Sequence, residues 1–375
     1  MTVIAKVEPL VYRVPVETPV ATSFGAMRDR PALFVHVIDA DGAEGWGEVW
    51  CNFPSVGAEH RARLIAETLA PMIVGESWSA PADCYRHLTA RTEVLAIQSG
   101  EPGPVAQAIA GIDQALWDLF ARRAGMPLYR YLGGTHAETV PVYASGINAD
   151  EPEKLALRKH EEGYRRFKLK VGFGRERDLR NLRVLRQTFG EDTPIMIDAN
   201  QAWDIETAGE MAAALASFAP GWLEEPMRAD MPAAQWAELA RRSPIPLAAG
   251  ENIRGEAAFG EAIASMGLRY LQPDIGKWGG FTACLPVCRK ALASGLVYCP
   301  HWLGGGIGLV ASLHLLAAAG GEGVLEIDAN PNPLREIHLG QLGALKEGEI
   351  AMPDGPGLGV APALEELARY RVAIG

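Results

Sequence analysis

Cysteine is scarce in this chain, five in 375 residues, an odd number set mostly in apolar segments. That argues against the disulfide framework of small secreted domains and for buried, reduced thiols. Cys284 and Cys288, at helical i, i+4 spacing, are the one pair among them placed to share a metal ion. Long hydrophobic runs are missing. No run approaches membrane-spanning length, and the N-terminus MTVIAKVEPLVYRVP alternates like a strand, without the apolar core of a signal peptide. Positive charge is in deficit: 35 Lys and Arg face 46 Asp and Glu, a net charge of −11. Nucleic acid is met with Lys and Arg, so it is not the expected partner. No Gly-x-Gly-x-x-Gly follows a strand pattern, which removes the main reason to expect a nucleotide-binding fold. The expectation is a soluble cytoplasmic protein, long enough for two domains, that binds neither nucleic acid nor membrane.

Val3 to Val14 reads as a strand, and Ala32–Asp39 and Glu44–Val49 flank the hairpin signal Asp41-Gly42. Helical periodicity runs from about Ala58 to Leu69, from about Ala82 to Arg91, and most clearly from Pro104 to Arg123, before Gly125 and Pro127. Residues 1–133 are therefore expected to form an α+β unit. From Val140 strand and helix patterns alternate. VPVYASGI is followed by RRFKLK, PIMIDAN, GWLEEP, IPLAAGEN, RYLQPD, LVYCPH and GVLEID, at intervals of roughly 25 residues. Alternation with short links implies a parallel sheet, and eight repeats imply closure into a (β/α)8 barrel over residues 134–327. Residues 328–375 lose the period and are expected to pack back on the N-terminal unit.

Catalytic groups of such barrels stand at the C-terminal ends of the strands. Asp198, Glu224 and Glu251 end the expected third, fourth and fifth strands. Three convergent carboxylates repel one another unless a hard, oxygen-preferring cation such as Mg2+ lies among them. Taken singly, each is equally a cap for the helix that follows. Neighbouring strand residues point to opposite faces, so Glu224, which shares parity with Trp222, is expected inward and Glu225 outward. Lys168 and Lys170, two apart on strand two, face the same way. Their mutual repulsion is expected to lower the pKa of at least one toward the range of a useful base. Asp274 and His301 end strands six and seven, where a carboxylate beside an imidazole makes an acid–base pair. Glu326 ends strand eight between the two flanks; with a raised pKa it would donate a hydrogen bond to a substrate oxygen. A carboxylate substrate chelated to the metal then presents its α-carbon between a lysine and a histidine. A positioned base supplies about 10²–10⁴-fold. Mg2+, Lys168 and Glu326 are expected to carry the charge of the resulting enediolate.

These residues resemble the enolase superfamily and, within it, the mandelate racemase subgroup. The likeness covers nearly the whole chain. It rests on AIAGIDQALWDLFARRAGMPLYRYLGG, Lys168-Leu169-Lys170, Asp198-Ala199-Asn200, Glu224-Glu225-Pro226, Gly250-Glu251-Asn252, Gln272-Pro273-Asp274 and PGLGV. The resemblance implies a capping domain over the barrel mouth, Mg2+ on Asp198, Glu224 and Glu251, and self-association. It also implies Lys170 as one acid/base catalyst, His301 activated by Asp274 as the other, and Lys168 and Glu326 on the substrate carboxylate. The lysine–lysine subgroup carries a strand-six base lysine and an aspartate as third ligand. Here Asp274, Glu251 and His301 stand instead, which favours the racemase and acid-sugar dehydratase branch. Lys277 lies just beyond the strand end and is not the expected base.

The expected reaction is dehydration of a sugar acid to a 2-keto-3-deoxy acid. Racemisation or epimerisation of a small 2-hydroxy acid is the alternative, and a non-catalytic binding scaffold a minor one. Expected substrate contacts are Ser23, Phe24, Trp50, Asn52, Asn200, Lys277 and Trp302. The aromatic content of Thr22–Gly25 and Trp50–Phe53, with Trp278 and Trp302, speaks for a small or partly apolar 2-hydroxy acid. Polar candidates nearby are few: Ser23, Arg28, Asn52, Asn148 and Lys277.

Overall fold

The computed structural model describes residues 1–22, 25–135, 138–360 and 362–374. The N-terminal third is a meander with helices on one face. Strands β1 (Thr2–Thr22), β2 (Gly25–Asp39) and β3 (Glu44–Val49) pair antiparallel, with Val11 opposite Leu33 and Val35 opposite Gly47. The hairpin at Asp41-Gly42 forms as expected: Asp39 Oδ1 accepts from the Asp41 and Ala43 amides (3.0 and 2.8 Å), the Asx arrangement that closes tight turns. Helix α1 (Gly57–Arg63) runs on through a π-helical turn to Leu69, and the short β4 (Ser77–Trp78) returns to the start of β1. Helix α2 (Pro81–Ser99) is longer than its apolar periodicity implies. Thr92, which interrupts the pattern, is buried with Oγ1 on the Leu88 carbonyl (2.8 Å), and Gly100 at φ 70° ends the helix. Helix α3 (Pro102–Arg123) starts at a proline, whose missing amide the first turn does not need.

A single turn of helix, α4 (Leu128–Tyr131), leads into the alternating half. There β5 (Thr139–Ile147), β6 (Phe167–Lys170), β7 (Ile195–Asp198) and β8 (Leu223–Glu224) are each followed by a helix: α5 (Pro152–Glu161), α6 (Arg175–Phe189), α7 (Ile205–Leu215) and α8 (Ala233–Arg242). The same order continues with β9 (Leu247–Ala249) and α9 (Glu256–Ser265), β10 (Tyr270–Leu271) and α10 (Gly280–Ala293), β11 (Val297–Tyr298) and α11 (Gly306–Ala319), and β12 (Leu325–Asp328) and α12 (Pro333–Gln341). The eight strands are parallel neighbours in the order β11-β10-β9-β8-β7-β6-β5-β12. Among the described residues no ladder joins β11 to β12. At that seam a Cβ on Gly323 would lie 1.8 Å from the Tyr298 carbonyl oxygen, so only glycine lets the strands approach and the barrel close.

Alternation along the strands sorts the barrel into two layers. Phe167, Leu169, Ile197, Leu223, Leu247 and Leu271 are buried outward against the helices, each contributing roughly 1.5–3 kcal/mol of transfer free energy. Tyr143, Met196, Trp222, Ala248 and Cys299 fill the barrel interior. All five cysteines are free and buried. Beyond β12 the chain divides its contacts. Strand β13 (Glu349–Ala351) pairs with β5, and after α13 (Leu364–Leu367) the edge strand β14 (Arg371–Val372) joins β1 in the N-terminal sheet. No described helix is long and apolar enough to cross a membrane.

One buried imidazole gives the fold a pH dependence. His314 on α11 accepts the Tyr129 amide at Nδ1 (3.0 Å) and donates from Nε2 to the Leu358 carbonyl (3.1 Å), which requires the neutral ring. Burial pushes its pKa down to about 4. An unfolded histidine titrates near 6.5, so the contribution is complete above that pH and is lost as pH falls toward 4, about 2 kcal/mol of it by pH 5. Urea denaturation at pH 7.5 and pH 5 is expected to show a smaller pH difference for His314→Gln than for wild type. An identical difference in both proteins would contradict this.

Candidate active site

Strands β6, β7 and β8 pair in register, Lys170 opposite Asp198 and Asp198 opposite Glu224, so their side chains rise at one level of the barrel mouth. Lys168, 1% exposed, lies one step deeper. Its Nζ is 2.5 Å from Glu224 Oε1, 2.8 Å from Glu326 Oε1 and 3.7 Å from Asp198 Oδ2. Lys170 Nζ donates to Asp198 Oδ2 (2.5 Å), whose oxygens also accept from the Asn200 amide and side chain (2.8 and 3.2 Å). Glu224 is held on its other oxygen by Trp222 Nε1 (3.0 Å) and Gln272 Nε2 (2.7 Å). The expected parity of Glu224 with Trp222 is thus a direct contact.

Across the mouth, His301 Nδ1 lies 2.6 Å from Asp274 Oδ2 and Nε2 lies 2.5 Å from Glu251 Oε2. Asp274 Oδ1 is fixed by the amides of Gly276 (2.7 Å) and Lys277 (2.9 Å), so the carboxylate is rigid before it meets the imidazole. Glu326 accepts from Ser145 Oγ (2.5 Å) and, on its second oxygen, from the Trp302 amide (2.9 Å). The sequence-derived groups are therefore brought together, Lys170 on one flank and the His301–Asp274 pair on the other.

The electrostatics correct two expectations. Burial opposes the charge of Lys168 and Lys170, but Glu224 and Glu326 at the first and Asp198 at the second outweigh it. Both lysines are held above the ordinary value. Lys168 does depress Lys170, with less weight than Asp198. Glu326 is not a neutral donor either: against burial, Lys168 and His301 keep it below the usual carboxylate range. Burial likewise disfavours the His301 cation, yet Glu251, Glu326 and Asp274 hold it protonated well above the usual histidine range. Burial pushes Glu224 up to about 7 despite Lys168, while His301 and Lys277 hold Glu251 well down.

No group of three His, Cys, Asp or Glu side chains among the described residues is gathered on one point as for a metal. The three expected ligands are each turned onto a protein cation: Asp198 to Lys170, Glu224 to Lys168, Glu251 to His301 and Lys277. The donor set nevertheless fits a hard divalent ion. Six carboxyl groups (Asp198, Glu224, Glu225, Glu251, Asp274, Glu326) face Lys168, Lys170, Lys277 and His301, and burial, with Glu251 beside it, pushes Glu225 well above the usual carboxylate range, the mark of a site with more acid than its own cations offset. In addition, the buried Glu225 Oε1 has no hydrogen-bond partner.

The expected substrate contacts divide. Ser23 and Phe24 lie outside the described residues. Half-buried Trp50 carries Lys277 Nζ over its ring at 4.5 Å, and Lys277 also reaches Glu251 (3.1 Å) and Asn252 Oδ1 (3.0 Å). Asn200 orients Asp198. Asn52 is buried with Nδ2 on the Leu303 carbonyl (2.5 Å), a tie between cap and barrel. Trp302 is packing: it is 1% exposed and its Nε1 donates to the Gly305 carbonyl (2.8 Å). Trp278 stacks at a tilt on Phe259 (centroids 5.4 Å apart), and Asn148 bonds Asn330 (2.9 Å). The expected aromatic wall thus loses two of its rings to the core.

Four contributors escape a strand-end search. Glu225 does not point away: at φ 37° the backbone leaves the strand conformation, and the side chain is buried with Oε2 on Asn252 Nδ2 (2.8 Å). Ser145 and Gln272 orient Glu326 and Glu224, Ser145 from within the first strand and Gln272 from a motif in which only Asp274 was given a role. Glu48, on cap strand β3, accepts the amides of Gly305 (2.5 Å) and Gly308 (2.8 Å) and so grips the loop that follows His301. A Cβ at Gly305 would stand 2.7 Å from the Glu48 carboxylate, while one at Gly304 or Gly308 would strike the Trp302 ring and one at Gly306 would strike His338, which together account for the glycines of HWLGGGIG.

Residues 6–133 match the family model of the mandelate racemase/muconate lactonizing enzyme N-terminal domain, and residues 152–367 the enolase C-terminal domain-like model. A crystal structure of a mandelate racemase/muconate lactonizing enzyme from Bordetella bronchiseptica RB50 is 55% identical, with a TM-score of 0.93 over 98% of this chain and 99% of that one. A racemase from Streptomyces coelicolor A3(2), solved with bound magnesium, is 29% identical at TM-score 0.89 over 99% of this chain and all of that one. The L-talarate/galactarate dehydratase of Salmonella typhimurium is 32% identical over 365 residues, 95% of this chain and 87% of that protein. Other curated relatives are cycloisomerases of D-galactarolactone and 3,6-anhydro-alpha-L-galactonate and dehydratases of arabinonate and D-galactonate. The chain belongs to the mandelate racemase/muconate lactonizing enzyme family of the enolase superfamily.

Proposed function

We propose that this protein is a Mg2+-dependent hydro-lyase that removes the proton α to a sugar-acid carboxylate and expels the β-hydroxyl, giving a 2-keto-3-deoxy acid. The observation that carries the proposal is the placement of Lys170 and the rigid His301–Asp274 pair on opposite flanks of one carboxylate cluster. Asp198, Glu224 and Glu251 would hold the ion, which supplies the electrophile that binds and acidifies the substrate carboxylate. Lys168 adds a fixed positive charge beside that carboxylate, and ionised Glu326 keeps Lys168 and the Trp302 amide in place. Asp198 holds the Lys170 proton in place. With Asp198 turned to the ion, Lys170 would lose that partner and can give its proton to solvent, and the free amine then takes the α-hydrogen. As the Cα–Cβ double bond forms and the Cβ–O bond breaks, protonated His301 gives its proton to the departing hydroxyl and water leaves. The 2-enol then takes a proton at C3 and becomes the keto acid.

A sugar acid is preferred to a small apolar hydroxy acid because Trp278 and Trp302 are spent on packing, and because dehydratases of sugar acids stand among the relatives. Two further outcomes use the same groups. Where the β-oxygen belongs to a ring, its cleavage opens the ring with no water lost, an isomerisation. Where the β-oxygen stays, return of the proton from the opposite flank inverts the α-carbon, the racemase alternative. A cytoplasmic location and self-association belong to the same proposal.

Incubation with a library of sugar acids and 2-hydroxy acids, Mg2+ and D2O, followed by proton NMR, tests this. A 2-keto-3-deoxy product is expected. Deuterium at the α-position without loss of water would replace the hydro-lyase with a racemase or epimerase.

A further inference from the structure

The second glutamate of Glu224-Glu225-Pro226 is placed as few surface acids are. Its backbone is pinned on both sides: the amide donates to the Ala248 carbonyl (3.0 Å), and its carbonyl accepts from the Gln201 amide (2.7 Å). Between these bonds φ is 37°, left-handed for a residue that has a Cβ, and that turn swings the side chain inward. The carboxyl is 1% exposed. Asn252 Nδ2 bridges Glu225 Oε2 (2.8 Å) and Glu251 Oε1 (2.9 Å), so the two acids are oriented by one amide. Glu225 Oε1 is buried and has no partner. The ammonium that faces it, on Lys277, is already bonded to Glu251 and to Asn252 Oδ1. A buried carboxyl oxygen left without a partner, beside other acids, is a position where a cation would be accommodated.

We infer that Glu225 is a fourth acidic member of the cation site, set beside the ion that Asp198, Glu224 and Glu251 would hold and tied to Glu251 through the Asn252 amide. This rests on the Mg2+ assignment proposed above. Glu225 acts on the ion and on Glu251, not on the substrate, and is therefore a positioning residue. Groups around a metal's direct ligands change affinity by about 10–100-fold when replaced.

The competing account makes Glu225 a neutral acid that only fills space. Glutamine has the shape of that neutral acid, so Glu225→Gln separates the two. Isothermal titration of Mg2+ into the full-length protein is expected to give a Kd roughly 10–100-fold weaker for Glu225→Gln, with an unchanged melting temperature. Glu225→Asp, which keeps the charge, is expected to retain more affinity than the glutamine variant. Wild-type affinity in Glu225→Gln would overturn the inference, as would equal weakening in both variants. If the wild-type chain itself binds no Mg2+, the cation assignment fails instead, a result distinct from either.

Discussion

Replacing His301 with asparagine is expected to lower turnover of the substrate by roughly 10²–10⁴-fold, the range supplied by a positioned acid or base. The loss is expected on kcat, because His301 is 9% exposed and held by Asp274, and in the proposed mechanism it would meet the substrate as a proton donor rather than as binding surface. Asparagine keeps a donor near Asp274 but has no proton to give at neutral pH. Glu251 loses one of its two cations in the variant, so Mg2+ affinity should hold or rise rather than fall. Steady-state kinetics with a Mg2+ titration checks both parts. A variant that dehydrates at the wild-type rate would remove His301 and Asp274 from the mechanism.

Asp198→Asn is expected to reduce turnover by at least about 10²–10³-fold, as loss of one preorganised electrostatic group at a reacting centre does. Two effects add. The oxygen set for the ion loses a charge, and Lys170 loses the partner that fixes its Nζ at 2.5 Å. The fold should survive. Lys170 keeps 18% of its side chain exposed, so its freed charge finds water, and an asparagine at 198 still accepts the Asn200 backbone amide on its oxygen while the Asn200 side chain turns its own carbonyl toward the new NH2. Activity and thermal melting measured together check this. Full activity with Mg2+ in an Asp198→Asn protein would contradict the assignment of Asp198 to the ion.

The barrel and its mouth were legible because both obey periods. Strand ends recur at one spacing, and Lys170, Asp198 and Glu224 then fall in register across β6, β7 and β8. What did not show has other causes. Glu225 was placed on the wrong face because parity assumes a strand, and the strand ends one residue earlier in a left-handed turn. The lysine pair was expected to lose basicity because repulsion between two ammonium groups is visible in K-x-K, whereas the flanking Glu224, Glu326 and Asp198 come from other strands. Trp302 looked like substrate surface from its neighbour His301, but its ring lies under glycines of its own loop. Glu48 had no signal at all. Its partners are backbone amides 257 and 260 residues away, and amides carry no side-chain pattern.

The central claim is that two acid/base groups stand on opposite faces of the substrate's α-carbon. Its most direct test is proton NMR of α-hydrogen exchange in D2O, run on both α-epimers of the identified substrate with His301→Asn and with Lys170→Ala. The expected result is that His301→Asn still deuterates one epimer through Lys170, without loss of water, while Lys170→Ala leaves that epimer unlabelled. Labelling of the same epimer by both variants, at comparable rates, would contradict the two-sided site.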